Sequence, residues 1–173
     1  KSGNKKVMPG NYPLYVLTEI AGSETVIPSL LEGFVETAMN DKIVLDAVFA
    51  EQLDDRKQFW DIREKVDHVL AEHNPVFLFD VSLPVSEMEQ FTATVNEELN
   101  KNFETVYCYI FGHMGDGNLH LMINCGEGND LAKELVERIV YGPLRSMYSS
   151  VSAEHGIGLS KKKWLEFSKS PQE

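Results

Sequence analysis

Residues 105–124 read TVYCYIFGHMGDGNLHLMIN, and this stretch decides the fold. Two runs rich in apolar, β-branched and aromatic residues, TVYCYIF and NLHLMIN, flank a segment with three glycines. Each run suits a strand, and Asp116-Gly117 between them marks a turn. The two are expected to pair as a hairpin with a loop of several residues. Strands and helices alternate along the rest of the chain, which would otherwise suggest a parallel sheet. The hairpin points the other way. The expected class is α+β: a mixed or antiparallel sheet with helices packed on one face, in a ferredoxin-like arrangement.

Working outward, residues 76–83 (VFLFDVSL) follow Pro75 and read as a further strand. Ser86 and Glu89 have capping-box spacing, and Met88, Phe91, Val95 and Leu99 form the apolar stripe of the helix behind them. Residues 54–72 are expected to form one long helix, with Phe59, Ile62, Val66, Val69 and Leu70 on its apolar side. Residues 12–21 (YPLYVLTEIA) and 43–50 (IVLDAVFA) read as strands. Between them, Ser29 and Glu32 suggest the start of a helix that buries Leu30, Leu31, Phe34, Val35 and Ala38. Downstream, Asp130 is placed to cap a helix ending near Tyr141, where Gly142-Pro143 interrupts it. A helical stretch to about Tyr148 and a last helix including residues 161–167 follow.

The 173 residues suit one domain with a substantial core, and 43% of them are apolar. The net charge of −11 argues against a general nucleic-acid binder, which would carry a basic stripe. Cys108 and Cys125 form no CxxC pair and read as buried thiols in a reducing compartment, the bacterial cytoplasm or an organelle matrix. No apolar run approaches the ~20 residues of a membrane span, and no signal peptide opens the chain. The chain starts at Lys1 and stops soon after Lys169-Ser170-Pro171 without a closing element. Residues 1–11 are expected to be a flexible segment and residues 12–173 a domain, an incomplete piece of a larger enzyme.

Two segments carry chemistry: GHMGDGNLH at 112–120 and SAEHGIGLSKK at 152–162. His113 ends one strand of the hairpin and His120 lies in the next, so both rings can reach one point. Two imidazoles converging from a rigid hairpin make a half-site for a divalent metal. Glu154 and His155 are adjacent, so one is expected to ligate while the other stands beside it. With Glu154 as third ligand the set is two histidines and a carboxylate, and His155 is free to act as a base. His68 and His73 lie on or just after a helix and read as ordinary solvated or hydrogen-bonded side chains. Arg63 falls between Phe59 and Leu70 on a helical wheel, and a guanidinium facing a core needs an anion.

GHMGDGNLH followed by SAEHG resembles the paired signature of the C-terminal domain of FAD-linked oxidases, a family that includes D-lactate dehydrogenases, the glycolate oxidase FAD subunit and D-2-hydroxyglutarate dehydrogenases. YPLYVLTEIAGS at 12–23, FWDIRE at 59–64 and DVSLPVSEM at 80–88 resemble further family segments. The resemblance implies that His113, His120 and Glu154 bind a divalent metal, usually zinc, and that His155 is the catalytic base. It implies that Arg63 binds the substrate carboxylate and that Asn118 lies near the flavin or the metal. The implied reaction oxidises a D-2-hydroxy acid to a 2-keto acid, with FAD held mainly by an N-terminal domain outside this chain. The isolated fragment is then expected to be inactive, and its flavin-facing surface open to self-association as a homodimer. No nucleic acid or membrane partner is expected.

The sequence departs from the 2-hydroxyglutarate enzymes where their polar residues contact substrate. The matching places hold Asp67, Leu78 and Met122, which favours a smaller or more apolar 2-hydroxy acid. Lys161 and Lys162 could help to hold an anion. Three other readings stay open: a non-haem iron enzyme, a metal-dependent hydrolase, and a non-catalytic α+β binding domain whose histidines merely pack.

Overall fold

The computed structural model describes residues 7–169 except 9 and 24, and all described side chains in its helices and strands except those of Asp67 and Val69. Most of the expected flexible segment, residues 1–6 and 9, lies outside that description. The chain divides into two compact units, residues 1–66 and 67–173.

The first unit contains helix α1 (Ile27–Asn40) and helix α2 (Leu53–Glu64). α1 begins before Ser29, with a proline in its first turn and no side-chain cap at Val26. Proline there costs nothing, because the first helical N–H has no partner to lose. α2 is closed by a capping box in which Asp55 Oδ2 accepts from the backbone N–H of Gln52 (3.1 Å). The strands expected at 12–21 and 43–50 are absent: both segments run without a ladder. β-favouring side chains do not make a strand unless a partner takes the backbone hydrogen bonds. Here Leu14, Val16, Ile43 and Leu45 are exposed instead of packed.

The long helix expected at 54–72 is broken. Lys65 leaves helical geometry with ψ 43°, ending α2, and α3 (Val66–Glu72) follows. None of the α2 residues is buried, so no packed face carries the helix through the break.

The second unit holds β1 (Phe77–Ser82), α4 (Val85–Asn102), β2 (Tyr107–His113), β3 (Asn118–Asn124) and α5 (Asp130–Tyr141), in that order. A 3-10 turn at Met114–Asp116 joins β2 to β3, and 3-10 turns at Pro143–Ser146 and Lys162–Phe167 follow α5. The three strands form one antiparallel sheet in the order β1-β3-β2. The hairpin is therefore present, and the sheet is α+β in the sense expected. The capping box at Ser86 is not: α4 starts at Val85 behind Pro84. α5 is capped by Asn129, whose side chain accepts from the N–H of Ala132 (2.9 Å), and not by Asp130.

Register sorts the sheet residues onto two faces, because directly paired residues point the same way. Phe79, Leu121 and Ile110 form one paired row, and Val81 and Leu119 belong to the next row of that face. These residues join Phe91, Val95 and Leu99 of α4 and Val136 and Val140 of α5 in one core. The opposite face carries the rows Asp80–His120–Phe111 and Leu78–Met122–Tyr109, with Asn118 paired to Ser82 and His113 at the end. Both core helices thus lie against one face, and the histidines are displayed on the other.

Candidate metal centre

The loop between β2 and β3 is short because two glycines make it so. Gly117 has φ +73°, a left-handed backbone that side chains resist. Gly112 sits against the opposite strand, where a Cβ would lie 2.0 Å from the carbonyl oxygen of Asn118. The backbone N–H of Leu83 also donates to the Gly117 carbonyl (2.9 Å), tying the loop to the end of β1. His113 and His120 are held by this frame with ring centroids 5.8 Å apart.

Glu154 and His155 arrive from the other side. Ser150 and Ser82 exchange both backbone hydrogen bonds (2.8 and 3.0 Å), and the N–H of Ala153 donates to the Asp80 carbonyl (3.3 Å). Residues 150–153 therefore run along the outer edge of β1 like a fragment of a fourth strand. This carries the next two residues over the open face of the sheet. Glu154 Oε1 accepts from the side-chain amide of Asn118 (2.7 Å) and lies 3.4 Å from His113 Nδ1.

His113, His120 and Glu154 each offer one donor atom, and these atoms lie within 4.8 Å of one another. Asp80, His120 and His155 satisfy the same condition, so His120 is common to two sets. His120 is the more buried ring; the side chains of His113 and Glu154 are each 46% exposed, leaving an open side. His155 is exposed, with its ring centroid 6.3 Å from that of His120. Two imidazoles and a carboxylate with an open side suit a catalytic divalent cation such as zinc. The donor set fits the metal that the family signature implies.

Asp80 went unassigned at the level of sequence, although an aspartate inside VFLFDVSL is a buried-charge signal. It is 3% exposed. Its Oδ2 accepts from the backbone N–H groups of Glu154 (2.9 Å) and His155 (3.0 Å) and from the Ser152 hydroxyl (3.4 Å). Burial, the largest single effect, would raise the Asp80 carboxyl, but these two N–H groups together with the Lys161 charge outweigh it and hold it below the usual carboxylate range. Lys161 is turned inward, its Nζ against Ser152 Oγ (2.9 Å) and the Asp80 carbonyl (3.3 Å). Burial depresses its ammonium despite the neighbouring Asp80. Asp116, also unassigned, accepts from the backbone N–H of Asn118 (3.2 Å) and lies 3.6 Å from His113 Nδ1.

Five of the six residues singled out from sequence lie together: His113, Asn118, His120, Glu154 and His155. The sixth, Arg63, is half-buried in the last turn of α2 and belongs to the first unit. The helical-wheel placement of Arg63 beside Leu70 does not hold, because the helix ends between them. His73 Nε2 meets the Tyr109 hydroxyl at 2.9 Å, in keeping with its ordinary reading.

The whole chain, residues 1–173, matches the family model described as FAD linked oxidases, C-terminal domain. A mitochondrial D-2-hydroxyglutarate dehydrogenase of Arabidopsis thaliana is 36% identical over 159 residues, covering 91% of this chain and 28% of that protein. A D-2-hydroxyglutarate dehydrogenase of Xanthomonas citri pv. viticola is 32% identical over 167 residues, covering 94% and 35%. A mitochondrial protein of Schizosaccharomyces pombe named for D-lactate dehydrogenase is 31% identical over 185 residues, covering 99% and 34%. The chain thus spans about a third of the length of these relatives.

Proposed function

Because the chain belongs to the C-terminal domain family of the FAD-linked oxidases, we propose that it is the substrate-facing part of a dehydrogenase that oxidises a D-2-hydroxy acid to the 2-keto acid. The observation that carries this reading is the cluster of His113, His120 and Glu154 donors within 4.8 Å, with His155 beside it.

In this reading His113, His120 and Glu154 hold a divalent cation, taken as zinc. When bound, the cation supplies positive charge next to the substrate hydroxyl and so favours its ionised form. His155 takes the hydroxyl proton; its exposed ring can pass that proton to water. Asn118 orients Glu154 through its amide. Arg63 offers a guanidinium for the substrate carboxylate, a role resting on its FWDIRE segment. If a flavin were bound there, it would supply the acceptor for the hydrogen of C2 and its electron pair, while the hydroxyl proton goes to His155. Among the described residues no strand–glycine loop–helix unit cradles a dinucleotide, since the glycines at 112–117 belong to a hairpin. The FAD is assigned mainly to an N-terminal domain outside this chain, a reading that rests on the family.

The row beside Asp80–His120 is Leu78–Met122–Tyr109. An apolar floor there favours a substrate whose C3 end is small or apolar over one with a second carboxylate, which would lack a cation on that row.

The test is anaerobic flavin reduction and metal content in the full-length protein, wild type against His120→Ala. D-lactate, glycolate, D-malate and D-2-hydroxyglutarate are offered in turn. Bleaching by one of them, lost together with the metal in the variant, supports the reading. Equal bleaching without metal would sink the metal-assisted part of it.

A further inference from the structure

Asp80 is a carboxylate whose two oxygens face different things. Oδ2 collects the N–H groups of Glu154 and His155 and the Ser152 hydroxyl. Oδ1 is buried and makes no hydrogen bond, and it lies 3.9 Å from Nδ1 of His120. Cross-strand pairing sets up that approach, because Asp80 and His120 are directly opposite on one face of the sheet. On the other side of His120 stands its second partner, Phe111, with ring centroids 5.3 Å apart. The imidazole is thus walled by an aromatic ring on one strand and a carboxylate on the other.

A carboxylate can only accept, so the ring nitrogen facing it is favoured as N–H. At 3.9 Å the two atoms are beyond hydrogen-bond distance, and a small ring movement would bring them into contact. We propose that Asp80 is the positioning residue of this centre: Oδ1 fixes the His120 tautomer with its proton on Nδ1, leaving the Nε2 lone pair for the cation, while Oδ2 clamps the turn that presents Glu154 and His155. One side chain then sets both the ring that ligates and the segment that supplies the third ligand and the base. Such partners to ligating histidines raise ligand basicity and lock ring orientation. The inference rests on the reading of His113, His120 and Glu154 as a metal centre, but the tautomer is defined without any metal.

The experiment is NMR of imidazole ring nitrogens in the full-length protein carrying ¹⁵N-histidine, metal-free and zinc-loaded, with His120 assigned by the loss of its signals in His120→Gln. Zinc affinity is measured alongside by chelator competition. Wild-type His120 should carry its proton on Nδ1 in both states. Asp80→Asn keeps an acceptor for the turn but places an amide N–H₂ before His120; its proton should move to Nε2 and zinc affinity fall by about 10–100-fold. Ser152→Ala, which leaves Oδ1 and both N–H donors of the clamp in place, should stay within about threefold of wild type. A wild-type proton on Nε2 overturns the inference, as does Asp80→Asn holding zinc within about threefold. Should Asp80→Asn fail to fold, the wild-type tautomer decides. A wild type that binds no zinc ends the metal reading, and the metal-free tautomer still tests Asp80.

Discussion

The side-chain amide of Asn118 donates to Oε1 of Glu154 at 2.7 Å, joining the first residue of β3 to the segment that runs beside β1. The same oxygen lies 3.4 Å from His113 Nδ1, so Asn118 sets which way the carboxylate presents itself to the imidazole. Asn118 is 2% exposed. Its mutation to alanine removes an amide donor to that carboxylate from a buried position. Asn118→Ala should weaken zinc binding by about 10–100-fold and lower stability by about 1–3 kcal/mol. Chelator competition and urea unfolding read the two effects. Unchanged zinc affinity would show that Glu154 orients itself.

Leu78 is 60% exposed and lies one row along from the Asp80–His120 pair. An ammonium placed there would face whatever extends from the His113–His120–Glu154 cluster over that row. Leu78→Lys should raise kcat/KM for D-2-hydroxyglutarate relative to D-lactate by roughly 10–100-fold, the worth of one hydrogen bond to a charged group. Full-length wild type and variant would be assayed on both acids. A ratio that does not move would place the distal end of the substrate elsewhere.

Gly112 is required by space and not by backbone angle. Its missing Cβ makes room for the Asn118 carbonyl, which a side chain would meet at 2.0 Å. Gly112→Ala should cost about 1–3 kcal/mol through forced backbone movement. Because the residue neighbours His113, zinc affinity should fall with stability. Thermal unfolding with and without zinc would show both. An alanine variant that melts like wild type would mean that the hairpin can open at no cost.

Cys108 lies on the core side of β2, opposite Ile123, and burial pushes its thiol up to about 11 from 9.0. The raised value means that the folded state holds its proton longer than the unfolded chain. The associated stability is therefore complete below pH 9 and is lost as pH rises from 9 towards 11. The loss attributable to this thiol should reach at most about 2 kcal/mol, discounted for its partial exposure. Comparing urea unfolding of wild type and Cys108→Ala across that range isolates it from lysines and tyrosines titrating nearby. Parallel pH profiles would contradict the prediction.

Local pattern made much of the second unit legible. The hairpin was readable because alternation, β-favouring side chains and a glycine turn agree over 105–124. The apolar stripe Met88, Phe91, Val95 and Leu99 likewise fixed the buried side of α4, and all four are buried. The donors of the centre were legible as residue types because glycine-rich turns bracket them.

The helix over 54–72 and the strands at 12–21 and 43–50 failed for one shared reason. Propensity describes what a segment tolerates, whereas a helix or strand persists only where packing or a ladder partner completes it. No buried face carries α2 past Lys65, and among the described residues no partner strand meets the other two segments.

By itself the sequence determined the class of fold, the hairpin, the family signature and the kinds of ligand available. Only the tertiary structure decided that residues 150–153 lie along β1, that Glu154 meets His113, and that a buried Asp80 stands between His120 and the Glu154–His155 turn. These are contacts between residues up to 75 positions apart. They arise from sheet register and edge pairing, which depend on where strands meet in space and leave no periodic mark along the chain.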